Sequence, residues 1–270
     1  MIKSFYNQAY KIGNSLFYDR KDSKRIKENF QIVNDFIKNT NFYKQDAKIL
    51  EIGCGLANWP KIFRGYYGAE YSKTAVERIK KRDKNINIYE TDAQDLCFEN
   101  EYFDRIFSFA TLEHVPNPHK AFTEIDRVLK KAGSAMIAPA WHCRSWTVKK
   151  LEYQTYSEIN FLEKIEKFFV PLREHILYRA VITLPRRIVL ELLLLFGKKE
   201  IPLFFKKLYP RWDLIEKYGH VADDDACASI CIHSAIMFFK SRNYKILSHK
   251  SFLERIMSRH GPVIVKKYES

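Results

Sequence analysis

Short apolar runs that alternate with amphipathic segments dominate the first half of the chain. Apolar runs predict five strands, at 48–52, 66–70, 86–89, 103–108 and 134–138. Apolar side chains at helical spacing predict helices over 23–38, 73–82 and 120–131. Strands and helices that alternate through short turns are typical of a parallel sheet covered on both faces. The predicted fold class is therefore α/β, a Rossmann-like, doubly wound and mostly parallel sheet.

This rhythm breaks after residue 140. Residues 141–220 show helical periodicity without clear strands, which predicts a helical insertion or lid. A helix over 226–240 and strands at 244–248 and 263–267 follow. The predicted organisation is an N-terminal helical cap (1–45), a Rossmann-like core (46–140), the insertion (141–220) and a closing helix with strands of the core (221–270).

Charge narrows the choice of partner. The 270 residues carry a formal net charge of +14, so an anionic small molecule, a nucleic acid or an acidic membrane surface would each be attracted. The five cysteines lack paired spacing, and the first residues contain no apolar run suited to a signal peptide, so we expect a reducing, cytoplasmic location.

The longest apolar run, 188–196, contains Glu191 and is too short to span a membrane. Basic residues flank it between 186 and 207, which leaves peripheral membrane contact open. Leucine runs such as 192–195 more often belong to a buried core or to a contact in a homo-oligomer than to a membrane anchor.

A glycine turn follows the first predicted strand. Gly53 and Gly55 would let the backbone turn tightly and let a ligand approach without a Cβ in the way. A helix predicted to begin near Trp59 would point its amides at the same crevice. A dinucleotide fold would place glycine or alanine at position 58, where this chain has asparagine.

Three acids stand at or just after the ends of three successive strands: Glu51, Glu70 and Asp92. Glu51 would repel a pyrophosphate but suits a cationic ligand. Glu70, at the end of the second strand, could accept both hydroxyls of a ribose. A carboxylate at Asp92 could accept a hydrogen bond from an adenine amino group. S-adenosylmethionine, a cation without phosphate, fits this set better than NAD does.

The sequence from 48 to 139 resembles the class I S-adenosylmethionine-dependent methyltransferases, in particular small-molecule enzymes that include the quinone methyltransferases. The matching pieces are Leu50-Glu-Ile-Gly-Cys-Gly55, Glu70-Tyr-Ser72, Thr91-Asp-Ala93, Phe103-Asp-Arg-Ile-Phe107, Leu112-Glu-His-Val115 and Arg127-Val-Leu-Lys130. The chain departs from the family at Ala57, where a third glycine is usual, and at Lys131-Ala-Gly133, where the family has Pro-Gly-Gly.

The resemblance implies that Glu51, Gly53 and Gly55 flank the methionine moiety of S-adenosylmethionine, that Glu70 holds the ribose, and that Asp92 with Ala93 holds the adenine. The residues expected to line the cofactor are Glu51, Gly53, Cys54, Gly55, Glu70, Tyr71, Asp92, Ala93 and Phe109.

Two histidines are candidates for a general base, His114 after the fourth strand and His142 after the fifth. A structural role is at least as common for either. Cys227, Cys231 and His233 lack a second pair with zinc-like spacing, so core packing is favoured over metal binding. On the predicted helix, the two cysteines would share a face.

The run Asp223–Asp225 would cap the following helix. Asp223-Asp-Asp-Ala226 and Phe239-Lys-Ser-Arg242 also weakly resemble a segment of methyltransferases from polysaccharide biosynthesis.

The function expected is methyl transfer from S-adenosylmethionine to an oxygen or nitrogen of a small, anionic acceptor such as a sugar, a nucleotide-sugar or a lipid-linked intermediate. A nucleic-acid methyltransferase is less favoured, because Phe109-Ala-Thr-Leu112 stands where an Asn/Asp-Pro-Pro-aromatic loop would be expected. A non-catalytic cofactor-binding scaffold and an NAD-linked oxidoreductase are two further candidate functions.

Overall fold

A computed structural model describes residues 2–11, 24–39, 46–57 and 64–269. The strands in these ranges are β1 (Ile49–Ile52), β2 (Tyr66–Glu70), β3 (Asn87–Glu90), β4 (Phe103–Phe109), β5 (Leu129–Ala138), β6 (Phe205–Lys207), β7 (Ala228–Ile230), β8 (Tyr244–Ile246) and β9 (Val263–Lys267). The helices are α1 (Ile2–Lys11), α2 (Lys24–Asn39), α3 (Lys73–Arg82), α4 (Pro118–Val128), α5 (Ser145–Val148), α6 (Phe161–Phe168), α7 (Val170–Glu174), α8 (Ile176–Leu195), α9 (Trp212–Tyr218), α10 (Ile232–Lys240) and α11 (Phe252–Met257).

Seven of these strands form one mostly parallel sheet in the order β3-β2-β1-β4-β5-β9-β8. The pairs β1–β2, β1–β4, β2–β3 and β4–β5 are all parallel. The order reverses beside β1, and ligands of open α/β sheets bind at the carboxyl ends of strands at such a point. The predicted α/β, Rossmann-like class is confirmed.

The chain forms two compact units, which are described separately. Unit 1 comprises Met1–Leu112, Lys120–Pro139 and Ile264–Ser270, and unit 2 comprises Glu113–His119 and Ala140–Val263. The core of unit 1 includes Val33 and Phe36 of α2, packed with Ile49 and Phe107 of the sheet. The helix predicted over 23–38 is therefore confirmed as an amphipathic helix that buries its apolar face.

Several element predictions for unit 1 are confirmed. β2 and α3 have the predicted bounds, and β9 matches the predicted closing strand. The helix predicted over 120–131 ends earlier, at Val128, because β5 begins at once with Leu129. The helix predicted to begin near Trp59 lies outside the described residues.

Unit 2 corrects three predictions. The segment 141–220, predicted to lack clear strands, contains β6, which pairs with β7 in an antiparallel ladder. The helix predicted over 226–240 begins only at Ile232, because β7 takes its first part; a short buried apolar run fits a strand as well as a helix. Cys227 and Cys231 therefore do not share a helix face, because Cys227 precedes β7 and Cys231 is the N-cap of α10.

Asp223–Asp225 do not cap α10, whose N-cap makes no side-chain hydrogen bond. Of the two roles expected for the leucines of α8, the structure contradicts the buried core, because Leu192 is 45% exposed and Leu195 is 79% exposed. The contact in a homo-oligomer stays a prediction. Among the described helices, none has the length and hydropathy that crossing a membrane requires.

Candidate functional site

The loop after β1 is built around two glycines in the left-handed region. Gly53 has φ +74° and Gly55 has φ +53°, conformations that are costly for residues with a Cβ. A Cβ on Gly53 would also lie 2.1 Å from Oγ1 of Thr111. The amides of Gly53 and Cys54 both donate to the carbonyl of Ala69, at 2.8 and 3.2 Å. The predicted tight turn is present, and Thr111, which sequence reasoning missed, is the side chain that requires glycine there.

Glu70 holds this loop to the end of β2. Its Oε2 accepts from the amide of Gly55 at 2.9 Å and its Oε1 accepts from the amide of Ser72 at 2.8 Å. Burial raises the pKa of Glu70, although these amides act in the opposite direction. A carboxylate offers about four acceptor positions, so capacity remains for the hydroxyls of a ribose. Glu70 is thus a structural tie as well as a candidate ligand contact.

Glu51 is buried at the end of β1 and accepts a hydrogen bond from the Tyr66 hydroxyl. Burial raises the pKa of Tyr66 well above its ordinary value, so the phenol stays protonated and donates. Burial likewise raises the pKa of the Cys54 thiol, which makes this cysteine a packing residue rather than a nucleophile.

Asp92, Ala93 and Phe109 are half-buried beside the next two strand ends. Gln94 orients the side chain of Asp92. The backbone amide of Gln94 donates to Asp92 Oδ1 at 2.8 Å, and its side-chain Nε2 donates to the same oxygen at 3.1 Å. The contacts that these three residues would make with an adenine stay predictions.

Helix α1 lies within the predicted N-terminal helical cap, although no separate helix was predicted for these residues, and it packs beside the end of β2. Ser72 Oγ donates to Asn7 Oδ1 at 2.8 Å, and Ser72 also caps α3 by accepting from the amide of Ala75. Lys3 forms an ion pair with Glu90 at 2.8 Å, and its ammonium lies 5.1 Å from the centre of the Tyr71 ring. The amphipathic pattern of these ten residues was the available signal.

The chemistry of these strand ends fits S-adenosylmethionine. Glu51, Glu70 and Asp92 place carboxylates at or just after the ends of three neighbouring strands, β1, β2 and β3. Carboxylates attract an ammonium and a sulfonium and repel a pyrophosphate. The glycine loop supplies the close backbone approach that a nucleoside ligand needs.

In unit 2, His114 lies between two carboxylates. It ends a single 3-10 turn at Leu112–His114; its Nε2 is 3.7 Å from Glu113 Oε1 and its Nδ1 is 3.4 Å from Asp225 Oδ1. Burial alone would lower the pKa of His114, but Glu113 and Asp225 outweigh it and raise the pKa. A proton taken up by this imidazole would be stabilised by both neighbours. The role of Asp225 was missed because the sequence pattern indicated a helix cap.

Glu113 is fully buried, and it accepts from the amide of Ala140 at 2.9 Å through Oε1. Its Oε2 has no hydrogen-bond partner within the described residues. Burial raises the pKa of Glu113 above its ordinary value. The turn is held by the Glu113 carbonyl, which accepts from the amide of Cys227 at 2.8 Å.

His142 has opposite surroundings. Burial lowers its pKa to about 4, with Arg187, Arg179 and Arg259 acting in the same direction. Its Nε2 is buried and without a hydrogen-bond partner in the described part of the chain. A protonated His142 is disfavoured, so the two predicted base candidates are not equivalent, and His114 has the better environment for accepting a proton.

We expect NMR titration to separate the two imidazoles. The His114 signal should titrate above the ordinary histidine pKa of about 6.5, because carboxylates favour its charged form, and the His142 signal should titrate near 4. His114→Gln and His142→Asn assign the signals. Asp225→Asn should shift the His114 midpoint to lower pH. A His142 midpoint at the ordinary value would contradict the buried, cationic environment described above.

A second group in unit 2 could hold a metal ion by its ligand types. His220, Asp224 and Asp225 offer ligand atoms within 4.8 Å of one another. However, the ammonium of Lys150 contacts Asp224 Oδ2, and both side chains are fully buried. The chain thus supplies its own cation at this carboxylate.

Unit 2 also contains a basic pocket of about 380 Å³. Four cationic side chains and one carboxylate line it, together with apolar groups that include Leu162, Ile165 and Leu208: Lys149, Arg173, Lys206, Lys207 and Glu166. Lys149 and Arg173 lie 2.6 and 3.5 Å from Glu166, so the charges of Lys206 and Lys207 have no carboxylate partner within the pocket. The pocket combines positive charge with apolar walls.

Comparison with known proteins finds similarity in the part of the chain that contains the glycine loop and strands β1 to β5. A family model described as a methyltransferase domain matches residues 50–137. The chain is 27% identical over 169 residues to malonyl-(acyl-carrier protein) O-methyltransferase of Priestia megaterium, covering 54% of this chain and 61% of that protein. It is 29% identical over 126 residues to demethylmenaquinone methyltransferase of Staphylococcus haemolyticus, covering 43% and 53%.

Among solved structures, the N-methyltransferase NodS from Bradyrhizobium japonicum in complex with S-adenosyl-L-homocysteine matches with a TM-score of 0.45 and 16% identity, covering 52% of this chain and 74% of that one. The matched parts span roughly three fifths or less of the two curated relatives' own length. The resemblance predicted from the sequence is confirmed over the glycine loop and the strands β1 to β5.

Proposed function

We propose that this protein, whose residues 50–137 match a family model described as a methyltransferase domain, is a class I S-adenosylmethionine-dependent methyltransferase that transfers the methyl group of its cofactor to a small, anionic acceptor. The observation that carries the proposal is the arrangement of Glu51, Glu70 and the glycine loop. Glu70 ties the loop to β2 through the amides of Gly55 and Ser72. This holds the loop and two carboxylates in one fixed arrangement that suits a cationic nucleoside.

Two observations support an anionic acceptor. The net charge of +14 attracts anions in general. The pocket of unit 2 places Lys206 and Lys207 beside apolar walls, which suits a phosphate joined to an apolar group. Of the expected acceptors, a lipid-linked intermediate with a phosphate has both the negative charge and the apolar group. A nucleotide-sugar has the charge alone, and an unmodified sugar has neither.

S-adenosylmethionine, which Glu51, Glu70 and the glycine loop would hold, would supply an electrophilic methyl group to an acceptor oxygen or nitrogen, and S-adenosylhomocysteine would leave with the electron pair of the carbon–sulfur bond. The chain's own residues position the two partners and exclude water. If the acceptor is a hydroxyl, its proton has to leave, and His114 receives it with Glu113 and Asp225 stabilising the imidazolium. His142, whose pKa lies near 4, is a positioning or packing residue.

Calorimetric titration with S-adenosylhomocysteine tests the cofactor site. We expect micromolar binding by the unaltered protein and a loss of about 10- to 100-fold in Asp92→Ala, which removes one hydrogen bond to a charged acceptor. Glu70→Ala should lose at least as much, because it frees the loop as well. Glu77→Ala is the matched control: this acid lies on α3, is about half exposed, and pairs only loosely with Lys73 at 4.0 Å.

The outcomes separate the candidate functions. Binding of NAD in place of S-adenosylhomocysteine would favour an oxidoreductase and contradict the proposal. Tight binding of S-adenosylhomocysteine without transfer of a labelled methyl group from S-adenosylmethionine to lipid or sugar-phosphate extracts would favour a non-catalytic scaffold. Equal affinity in the Asp92→Ala, Glu70→Ala and Glu77→Ala proteins would show that the carboxylates of Asp92 and Glu70 do not bind the cofactor.

A further inference from the structure

Helix α8 buries charged side chains and exposes apolar ones, the reverse of an ordinary surface helix. Its buried side chains are Arg187, Leu190 and Glu191, so two of the three are charged. Arg255 binds Glu191 with two hydrogen bonds, Nε to Oε1 at 2.7 Å and Nη2 to Oε2 at 2.9 Å. Arg187 donates to the carbonyl of Ile256. The inner face of α8 is therefore held by ion pairs and hydrogen bonds, and its apolar side chains are left for the other face.

That outer face is apolar and exposed along the whole helix. Its most exposed members are Leu177 (67%), Val181 (71%), Ile182 (61%), Val189 (52%), Leu195 (79%) and, just after the helix, Phe196 (86%). The helix has 20 residues and is therefore about 30 Å long. Contiguous exposed apolar surface on this scale marks a binding surface for a protein or a membrane.

Helix α6, earlier in the same unit, adds to this apolar surface area. Phe161, Leu162 and Phe168 are 74%, 75% and 70% exposed. Large aromatic and aliphatic side chains are the groups that interfacial helices bury in the boundary between headgroups and acyl chains. α8 contains too few consecutive apolar residues to cross a membrane, because Arg186 and Arg187 interrupt it. None of the described helices reaches the length and hydropathy that a span requires.

Three basic side chains and one acid, Glu200, are exposed on α8 or directly after it, so the exposed charge there is mainly basic. Arg186 is exposed within α8, and Lys198 and Lys199 are exposed directly after it. The acid of the helix, Glu191, faces inward and is neutralised by Arg255. Each basic side chain near an anionic lipid surface strengthens binding by roughly fivefold.

We infer that α8 is a lipid-binding helix, which lies with its outer face on an anionic membrane surface while the ion pairs of Arg187 and Glu191 anchor its inner face to the protein. A second copy of the chain is the competing occupant. Two copies would each bring a net charge of +14, and their repulsion opposes association, whereas an anionic membrane gains from the same charge. The inference does not depend on the proposed methyl transfer.

Sedimentation with vesicles tests the inference. The full chain should bind vesicles of phosphatidylcholine mixed with phosphatidylglycerol and bind vesicles of phosphatidylcholine alone at least tenfold more weakly. Val181→Gln combined with Leu195→Gln should reduce partitioning by about 10- to 100-fold, because two exposed aliphatic side chains no longer enter the lipid. Lys198→Gln combined with Lys199→Gln should reduce it by about tenfold or more, only on the anionic vesicles.

Ile32→Gln is the matched control, since Ile32 is an exposed aliphatic residue of helix α2 in unit 1. It should leave partitioning unchanged. Thermal unfolding and binding of S-adenosylhomocysteine report whether each variant is folded, and the lysine variants change only exposed side chains. Absence of vesicle binding by the unaltered protein would overturn the inference. So would a dimer in lipid-free solution that Val181→Gln with Leu195→Gln converts to a monomer, because the second copy would then cover this face.

Discussion

Replacing Lys150 by methionine is expected to lower the free energy of unfolding by about 3–5 kcal/mol near pH 7. Lys150 and Asp224 are both fully buried and in direct contact, and the ammonium also donates to the carbonyl of Gly219 at 2.6 Å. Methionine fills a similar volume but carries no charge, so the carboxylate is left without its ammonium. Removing one member of a buried pair costs more than the pair itself contributes.

The penalty should depend on pH in a definite direction. Burial would raise the pKa of Asp224, but hydrogen bonds from His220 and Lys150 lower it overall. The carboxylate therefore stabilises the folded protein above the ordinary aspartate pKa, and this contribution is lost as the pH falls through the lowered value. In Lys150→Met the pKa of Asp224 rises, so protonation relieves the penalty, and the loss should be smaller near pH 5 than near pH 7.

Denaturant unfolding at both pH values measures the effect. Lys149→Met is the matched control, because Lys149 is the neighbouring lysine but is 37% exposed and pairs with the half-buried Glu166. It should cost about 1 kcal/mol or less. Lys150→Met together with Asp224→Asn should cost less than Lys150→Met alone. A loss in Lys150→Met no larger than in Lys149→Met would show that the pair is hydrated in solution.

Gly53→Ala is expected to reduce the affinity for S-adenosylhomocysteine by about 100-fold or more and to destabilise unit 1 by about 3 kcal/mol. The left-handed φ of +74° costs about 1–2 kcal/mol for alanine, and the added Cβ collides with Thr111 at 2.1 Å, which forces the loop to move. A displaced loop no longer presents its amides and the Glu70 carboxylate in their fixed arrangement.

Gly197→Ala separates the cost of the left-handed backbone from the cost of the collision with Thr111. Gly197 has φ +76°, nearly the same as Gly53, but a Cβ there would meet no atom within 4 Å. It should therefore show only the cost of the backbone conformation, about 1–2 kcal/mol, and leave the affinity for S-adenosylhomocysteine unchanged. Calorimetry and thermal unfolding of the two variants provide the comparison. Equal affinities in both would mean that the contact with Thr111 has no bearing on the cofactor site.

The sequence was sufficient to predict the parallel sheet and the placement of the three acids, because both depend on patterns within one strand or one turn. The period of two or 3.6 residues is local, and so is a glycine that follows a buried strand. Glu70 illustrates the limit: its position at the end of β2 was predictable, but its hydrogen bonds to the amides of Gly55 and Ser72 were not. A side-chain contact of that kind depends on how two loops meet.

The insertion was harder to predict for the same reason. Asp223–Asp225 carry the composition of a helix cap, yet Asp224 pairs with Lys150 and Asp225 faces His114, residues that are distant in the sequence. The leucines of α8 have the composition of a core, but Arg187 and Glu191 are the buried residues. Arg187 donates to the carbonyl of Ile256, and Glu191 pairs with Arg255. Tertiary partners, which leave no local pattern, decided both outcomes.

The two amide hydrogen bonds of Glu70 also bear on the timing of ligand capture. Both bonds are made within the chain, between the loop after β1 and the end of β2, so these two strand ends need no ordering step when the nucleoside arrives. Little conformational entropy is lost there on binding. The association rate should therefore be limited at this point by diffusion and orientation, and differences in affinity among variants of the loop should appear mainly as differences in residence time.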